Sequence, residues 1–76
     1  MTKEQFCELL RKELGEESKI TPETNFKELS SFGSLTSVLV LQLIENELGT
    51  TLNPRSFRTI KTVNDIAEVV APEVFS

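Results

Sequence analysis

The sequence predicts an all-α fold, a small bundle of three longer helices with one or two short helices. Three observations support this prediction. The chain has 76 residues, which is the size of one domain, so we treat residues 1–76 as a single domain. Apolar residues recur with helical spacing in three separate segments. Residues that favour helix ends bound each of those segments.

The first helix is predicted directly after Thr2. Thr2 and Gln5, three residues apart, form the sequence pattern of a capping box. Gly15 stands where a residue in left-handed conformation would end the helix. The apolar positions between them are spaced as one helix face, at Phe6, Leu9, Leu10 and Leu14. Cys7 lies beside this face and is expected to pack as a small hydrophobic residue.

A long connection follows, from Glu16 to Gly33. Structureless loops of this length are uncommon in compact domains, so we expect side chains to anchor it to the core. The segment Thr21–Thr24 is predicted to form a short helical turn, with Thr21 as N-cap and Pro22 at the first helical position. Glu13, Glu16 and Glu17 are expected to form a solvated helix end. The expected apolar anchors are Ile20, Phe26 and Leu29, with Phe32 and Phe57 as further core or loop anchors.

The second helix is predicted from Ser34 to Leu48 and ends at Gly49. It lies in a segment without charge, because the 16 residues from Leu29 to Ile44 include no Asp, Glu, Lys or Arg. Its β-branched residues would also suit a strand. No helix-breaking residue occurs between Gly33 and Gly49, however, and strands are rarely that long.

Two further helices are predicted in the last third of the chain. Asn53 as N-cap and Pro54 at the first helical position predict a short helix. Thr62 as N-cap and Asp65 three residues later predict the start of the last helix, which Pro72 ends. The apolar positions of that helix are Val63, Ile66 and Val70, with Ala67 and Val69 beside them.

The second helix has two apolar faces. One face suits the core and comprises Val40, Leu41, Ile44 and Leu48. The opposite face comprises Leu35, Val38 and Leu39, with Gln42, Glu45 and Asn46 among them. A small bundle cannot easily bury a helix on all sides, so the second face is predicted to bind another protein.

Composition excludes several classes of function. The net charge of −4 argues against binding to nucleic acid or to an anionic membrane surface. The chain has no histidine and one cysteine, so it can form neither a Ser-His nor a Cys-His pair, and a metal site is not expected. We therefore expect no catalytic residues and no enzyme activity. A lone cysteine suits a reducing compartment, and the polar start of the chain is unlike a signal peptide, so we expect a cytoplasmic location. We also expect the chain to be a monomer.

Ser34 allows two compatible interpretations. It stands at the predicted start of the second helix and is a suitable N-cap residue. It is also a candidate modification site, because a phosphodiester on its hydroxyl would meet the free N–H groups and the positive end of the helix dipole.

The segment FKELSSFGSLTSVLVLQLIENELG resembles the acyl carrier proteins of the phosphopantetheine-carrier family, which have an Asp-Ser-Leu sequence before an apolar and acidic helix. The segment TTLNPRSFRTIKTVNDIAEVV resembles the third and fourth helices of that family, and the resemblance covers nearly the whole chain. It implies that Ser34 carries covalent 4′-phosphopantetheine, whose thiol holds an acyl group as a thioester. It also implies a non-catalytic carrier that serves a phosphopantetheinyl transferase, acyl synthases or ligases, and acyl transferases.

The sequence departs from the family pattern at three positions. Gly33 replaces the aspartate that usually precedes the serine, and Thr36 and Leu39 replace residues that are often acidic. Partner binding is therefore expected to depend more on apolar contact, and the residues predicted to make it are Leu35, Val38, Leu39, Gln42 and Glu45. This favours a specialised acyl pathway, such as polyketide assembly, over general fatty-acid synthesis. The alternative is an unmodified helical adaptor that binds one partner through the same face.

Overall fold

The computed structural model describes residues 1–75, and these residues form helices and connections without a β-strand. The predicted all-α bundle is confirmed. The last α-helix is short, with seven residues. The α-helices are α1 (Lys3–Leu14), α2 (Ser34–Leu48), α3 (Pro54–Phe57) and α4 (Val63–Val69), and two 3₁₀ helices span Phe26–Glu28 and Pro72–Val74.

Both ends of α1 and the start of α4 are fixed by the capping residues that the sequence predicted, whereas α4 ends at Val69, before the predicted stop at Pro72. The Thr2 hydroxyl accepts a hydrogen bond from the Gln5 N–H, and the Gln5 side chain accepts one from the Thr2 N–H. Thr62 and Asp65 make the same reciprocal pair at the start of α4. Gly15 ends α1 with φ of 68°, a conformation that glycine adopts without steric strain.

The short helix in the long connection lies four residues later than predicted. Thr21–Thr24 forms a turn instead of a helix, closed by a hydrogen bond from the Thr24 N–H to the Thr21 carbonyl. The Asn25 side chain accepts from the Lys27 N–H and so caps the 3₁₀ helix that starts at Phe26. Asn25 replaces Thr21 in the capping role, because the Thr21 hydroxyl is instead paired with that of Thr24.

Two backbone hydrogen bonds attach this connection to the region before and within α4. The Phe26 N–H donates to the Lys61 carbonyl at 3.0 Å, and the Asn64 N–H donates to the Pro22 carbonyl at 3.1 Å. The predicted anchors also hold, since Ile20 and Phe26 are buried and Leu29 packs against the core. The connection is therefore an ordered part of the bundle.

The core lies where α1 packs against α2 and α4. Cys7 is buried within it, as expected, and its burial, with the nearby charges of Glu4 and Glu23, raises the pKa of the thiol to about 11. No helix in residues 1–75 has the length and apolar character needed to cross a membrane. The buried core side chains are Phe6, Cys7, Leu10, Leu14, Ile20, Phe26, Val40, Ile44, Leu48, Phe57, Ile60, Val63, Ile66 and Val70.

Candidate functional site

The start of α2 is capped by Gly33, not by Ser34. Gly33 has extended backbone angles, and its carbonyl accepts the first helical hydrogen bond, from the Ser37 N–H at 3.0 Å. Ser34 is the first residue within the helix, so the prediction that it acts as N-cap is wrong. The sequence did not reveal the role of Thr36, whose hydroxyl accepts from the Gly33 N–H and donates to the Gly33 carbonyl. A threonine three residues after a glycine is the signal that could have indicated it.

Ser34 differs from Ser31 and Ser37 in the state of its hydroxyl. The Ser31 hydroxyl donates to the Glu16 carboxylate at 2.8 Å, and the Ser37 hydroxyl donates to the Ser34 carbonyl at 2.7 Å. The exposed Ser34 hydroxyl has no hydrogen-bond partner among residues 1–75. Ser30 is also exposed, and its hydroxyl likewise has no partner among residues 1–75, but it lies in the loop, outside the helix. Ser34 therefore combines an exposed, unbonded hydroxyl with a position at a helix N-terminus.

The first turn of α2 suits a negatively charged group on Ser34. The N–H groups of Ser34, Leu35 and Thr36 have no acceptor among the described residues, as expected for the first turn of a helix. This turn also contains no acidic side chain. Free N–H groups and the positive end of the helix dipole favour a phosphodiester here. No cavity opens among residues 1–75, so the site is an open surface.

The outward side of α2 is apolar near Ser34. Leu35 is 84% exposed, Val38 52% and Leu39 36%, whereas Val40 and Ile44 on the opposite side are fully buried. This confirms the two faces predicted from the sequence, although Leu41, which was placed with the core face, is only partly buried. We call the exposed set the α2 outer face; it comprises Leu35, Val38, Leu39, Gln42 and Glu45, all of which are exposed.

A cluster of phenylalanine rings places α3 beside the loop that leads to Ser34. The ring centroids of Phe32 and Phe57 lie 6.5 Å apart, and both rings contact Phe26, at 5.9 and 6.1 Å. The Lys27 ammonium lies 4.3 Å from the centroid of the Phe57 ring and donates to the Phe57 carbonyl. Desolvation by the surrounding protein, with the nearby charge of Lys61, lowers the pKa of Lys27. These contacts confirm the predicted anchoring role of the three phenylalanines.

Glu16 has a specific structural role beside the site. It was predicted to belong to a solvated acidic helix end, yet its carboxylate accepts hydrogen bonds from the Ser31 hydroxyl and from the N–H groups of Glu17 and Ser18. These hydrogen bonds, the one from Ser31 first, lower the pKa of Glu16. The loop before Ser34 is thereby attached to the end of α1.

Comparison with known proteins identifies the family. The family model described as "Phosphopantetheine attachment site" matches residues 4–70. The chain belongs to this phosphopantetheine-attachment family. The resemblance to acyl carrier proteins is thus confirmed, and 4′-phosphopantetheine, covalently attached, is the cofactor of this carrier domain. The exposed serine hydroxyl and the free N–H groups at the start of α2 fit that cofactor.

One curated relative is Acyl carrier protein 2, chloroplastic, from Spinacia oleracea, which is 33% identical to this carrier domain over 57 residues. The aligned region covers 75% of the chain and 43% of the spinach protein, so the chain spans less than half the length of that relative. No solved structure matches the carrier domain significantly.

Proposed function

We propose that Ser34 carries the 4′-phosphopantetheine and that the chain shuttles acyl groups, as thioesters, between partner enzymes. The observation that carries this proposal is the Ser34 hydroxyl, which is exposed and unbonded at the first position of α2. The neighbouring Ser31 and Ser37 hydroxyls are both engaged in hydrogen bonds. A free hydroxyl can meet an external phosphoryl donor without first breaking an internal bond.

The chemistry of attachment follows from this arrangement. The Ser34 oxygen forms a new bond to the phosphorus of the phosphopantetheine moiety of coenzyme A. The bond to the adenosine 3′,5′-bisphosphate leaving group breaks, and the hydroxyl proton passes to a base of the transferase. The resulting phosphodiester lies at the positive end of the α2 dipole, beside the free N–H groups of the first turn. When bound, the cofactor supplies the thiol that holds the acyl group.

The α2 outer face is proposed to bind the partner enzymes. It begins directly after Ser34, so a protein that approaches the prosthetic group also meets Leu35, Val38 and Leu39. When a partner removes exposed leucine and valine side chains from water, the free energy of the complex falls by about 25 cal/mol for each Å² of apolar surface buried. Gln42 and Glu45 continue the face toward the end of α2. The proposed partners are a phosphopantetheinyl transferase, acyl synthases or ligases, and acyl transferases.

The proposal assigns catalysis to these partners and the carrier role to this chain. The sequence contains no histidine, and no cluster of three or more metal-binding side chains occurs among the described residues. We further propose a specialised acyl pathway, because Thr36 and Leu39 leave the first turns of α2 without carboxylates. The cytoplasmic location predicted from the sequence stays a prediction, and the printed name of the spinach relative places that protein in the chloroplast.

Intact-mass spectrometry tests the attachment site. The purified chain is incubated with coenzyme A and a broad-specificity phosphopantetheinyl transferase. The wild-type chain is expected to gain the mass of one phosphopantetheine group, and Ser34→Ala is expected to gain none. The matched controls Ser30→Ala, Ser31→Ala and Ser37→Ala should all be loaded. A gain of mass by Ser34→Ala would overturn the assignment.

The same assay distinguishes the carrier from an unmodified adaptor. If several transferases fail to load the wild-type chain, Gly33→Asp supplies the acidic neighbour that carriers of this family usually have. Failure of that variant as well would favour an adaptor that binds one partner through the α2 outer face. The 84% exposure of Leu35 is the observation that supports this second function.

A further inference from the structure

The segment from residue 29 to residue 61, which contains Ser34, carries a slight excess of basic residues, although the chain as a whole is acidic. The chain has 8 basic and 12 acidic residues, but residues 29–61 contain three basic residues and only two acidic ones. Those two, Glu45 and Glu47, lie in the last turn of α2. At 1.5 Å of rise per residue, Glu45 lies about 16 Å along the helix from Ser34. We call the nearby basic side chains the α3 cationic rim; they are Lys27, Arg55, Arg58 and Lys61.

The contacts of Phe57 connect α3 to the loop before Ser34, so the rim is within reach of a protein docked at Ser34. Phe57 at the end of α3 contacts Phe32, two residues before Ser34, and Lys27 contacts Phe57 directly. A standard protein interface covers about 800 Å² on each partner, a patch about 30 Å across. The described chain itself measures 30 × 25 × 19 Å. An interface of that size, centred on Ser34 and Leu35, is wide enough to reach α3.

Within the rim, the charges of the two arginines are the least neutralised by carboxylates of the same chain. The ion pair found among residues 1–75 joins Arg11 and Glu8, which leaves Arg55 and Arg58 without a carboxylate within 4.0 Å in that part of the chain. Both arginines are exposed. Lys61 and Lys27 differ, because Asp65 lies near them and accepts a hydrogen bond from the Lys61 N–H. Two further carboxylates lie nearby. Glu28 is exposed and is next to Lys27 in sequence, and Glu16 is hydrogen-bonded to Ser31, three residues before Ser34.

We propose that the surface around Ser34 binds partner proteins whose docking face is apolar at its centre and rich in carboxylates where it meets α3. This inference rests on the proposed function, in which the α2 outer face binds the partners. Leu35, Val38 and Leu39 provide the apolar centre, and Arg55 and Arg58 provide the charges that a carboxylate rim complements. Such complementarity raises association rates and selects among partners. A partner with a basic docking face is repelled by the same two arginines.

A protein is a better occupant of this surface than a membrane. The net charge of −4 opposes adsorption to an anionic bilayer, where each nearby basic residue contributes only about 1 kcal/mol. The rim lies beside an apolar helix face that is already exposed, and the combination of an apolar centre with a charged rim is typical of protein interfaces.

Two designed peptides provide the probe. Both are 15-residue stapled amphipathic helices with the same leucine face, and one carries glutamates on its polar face where the other carries lysines. Each is titrated into the unmodified ¹⁵N-labelled chain while amide chemical shifts are recorded. The acidic peptide is expected to bind roughly tenfold more tightly, since each exposed charge pair contributes modestly. Its shifts should map to Leu35, Val38, Leu39, Arg55 and Arg58. At about 1 M salt, where the Debye length is about 3 Å, the preference should disappear.

Charge reversal completes the test. The double variant Arg55→Glu with Arg58→Glu should prefer the lysine peptide. The control Lys12→Glu with Lys19→Glu changes the net charge equally at exposed positions outside α2 and α3, and it should keep the acidic preference. If the overall negative charge of the chain decided binding, the wild type and every variant would prefer the lysine peptide. A preference of that kind in all variants would overturn the proposal. Binding to phosphatidylglycerol vesicles that the arginine variant loses would also overturn it, in favour of a membrane.

This test is independent of the attachment assay. It uses the chain without its cofactor, so its outcome does not depend on whether Ser34 is the modified residue. A chain that is loaded at Ser34 but prefers the lysine peptide keeps the proposed function and loses the inference about its partners.

Discussion

The Ser31 hydroxyl donates a hydrogen bond to the Glu16 carboxylate, with 2.8 Å between the two oxygen atoms. This contact joins the loop before Ser34 to the end of α1, where Arg11 also binds the Glu16 carbonyl at 2.9 Å. A residue three positions before the candidate site and the residue that follows the C-cap of α1 are thereby held together. The contact depends on an ionised carboxylate, so its stability depends on pH.

Replacing Glu16 is expected to weaken the acid sensitivity of the fold. The pKa of Glu16 is lowered from its ordinary value of 4.5, chiefly by the hydrogen bond from Ser31. A carboxyl group whose pKa is lower in the folded than in the unfolded state stabilises the fold. This stabilisation is fully present above the unfolded-state pKa and is lost as the pH falls through the folded-state pKa. Urea unfolding between about pH 5.5 and 3 should show a smaller loss in Glu16→Gln than in the wild type. Glu17→Gln is the matched control, and equal slopes in the two variants would contradict the prediction.

The structure predicts that Ser34→Ala barely changes stability. Because Gly33 caps α2 and the Ser34 hydroxyl has no partner among residues 1–75, we expect a change within about 0.5 kcal/mol. Thr62→Ala is the comparison, since Thr62 does cap α4 through its side chain, and its loss should cost about 0.5–2 kcal/mol. Denaturant unfolding of both variants measures the difference. A Ser34→Ala cost as large as that of Thr62→Ala would show that the hydroxyl supports the helix.

Gly33→Asp is expected to stabilise α2 and to speed loading of the cofactor. A Cβ atom at this position meets open space, and the extended backbone of Gly33 suits any residue. An aspartate there can accept from the free N–H groups of the first turn, which should add a few tenths of a kcal/mol. Thermal unfolding and the rate of mass gain measure the two effects. The control Gly15→Asp should instead destabilise the fold, because Gly15 has a φ of 68°. Loss of stability in both variants would contradict the expected stabilisation of α2 by Gly33→Asp.

Truncation of the two faces of α2 should have unequal effects. Ile44 is fully buried, so Ile44→Ala should cost about 2–5 kcal/mol of unfolding free energy. Leu39 is 36% exposed, so Leu39→Ala should cost about 1 kcal/mol. Leu35 is 84% exposed, so Leu35→Ala should cost less than about 0.5 kcal/mol. Urea unfolding of the three variants provides the ranking. Losses of equal size would mean that α2 is buried on all sides.

Cys7 should stay unreactive while the prosthetic thiol reacts. The Cys7 side chain is only 2% exposed, and its pKa of about 11 leaves little thiolate at pH 8. Ellman's reagent should therefore find no fast thiol in the unmodified folded chain and one fast thiol after loading. Unfolding in urea is the control that exposes Cys7. A fast reaction before loading would show that the core around Cys7 opens readily.

The sequence was sufficient to locate the helices where local rules decide their ends. Gly33 and Gly49 bound α2, and the paired caps of Thr2 with Gln5 and of Thr62 with Asp65 are visible from residue spacing alone. Helical periodicity likewise separated the buried face of α2 from its exposed face, because the spacing of residues fixes which side chains share a side.

The sequence-based predictions that were wrong concern hydroxyl groups with more than one available hydrogen-bond partner. Thr21 was a suitable cap by type, but its hydroxyl pairs with Thr24, and Asn25 takes the capping role. Ser34 was also suitable, but the chain enters the helix one residue earlier. The bond between Ser31 and Glu16 depends on tertiary packing that brings distant segments together, and residue spacing does not reveal it.

The two backbone hydrogen bonds from the connection to the α4 region have a consequence for local unfolding. The amides of Phe26 and Asn64 join segments that are far apart in sequence, so opening either segment breaks both hydrogen bonds. We therefore expect the connection and the start of α4 to exchange their amide hydrogens as one cooperative unit. The first turn of α2, by contrast, has amide groups without acceptors among the described residues, and we expect these to exchange faster. The candidate attachment residue thus lies at a helix end that we expect to exchange quickly, while the connection eight residues earlier, at Phe26, is expected to stay protected.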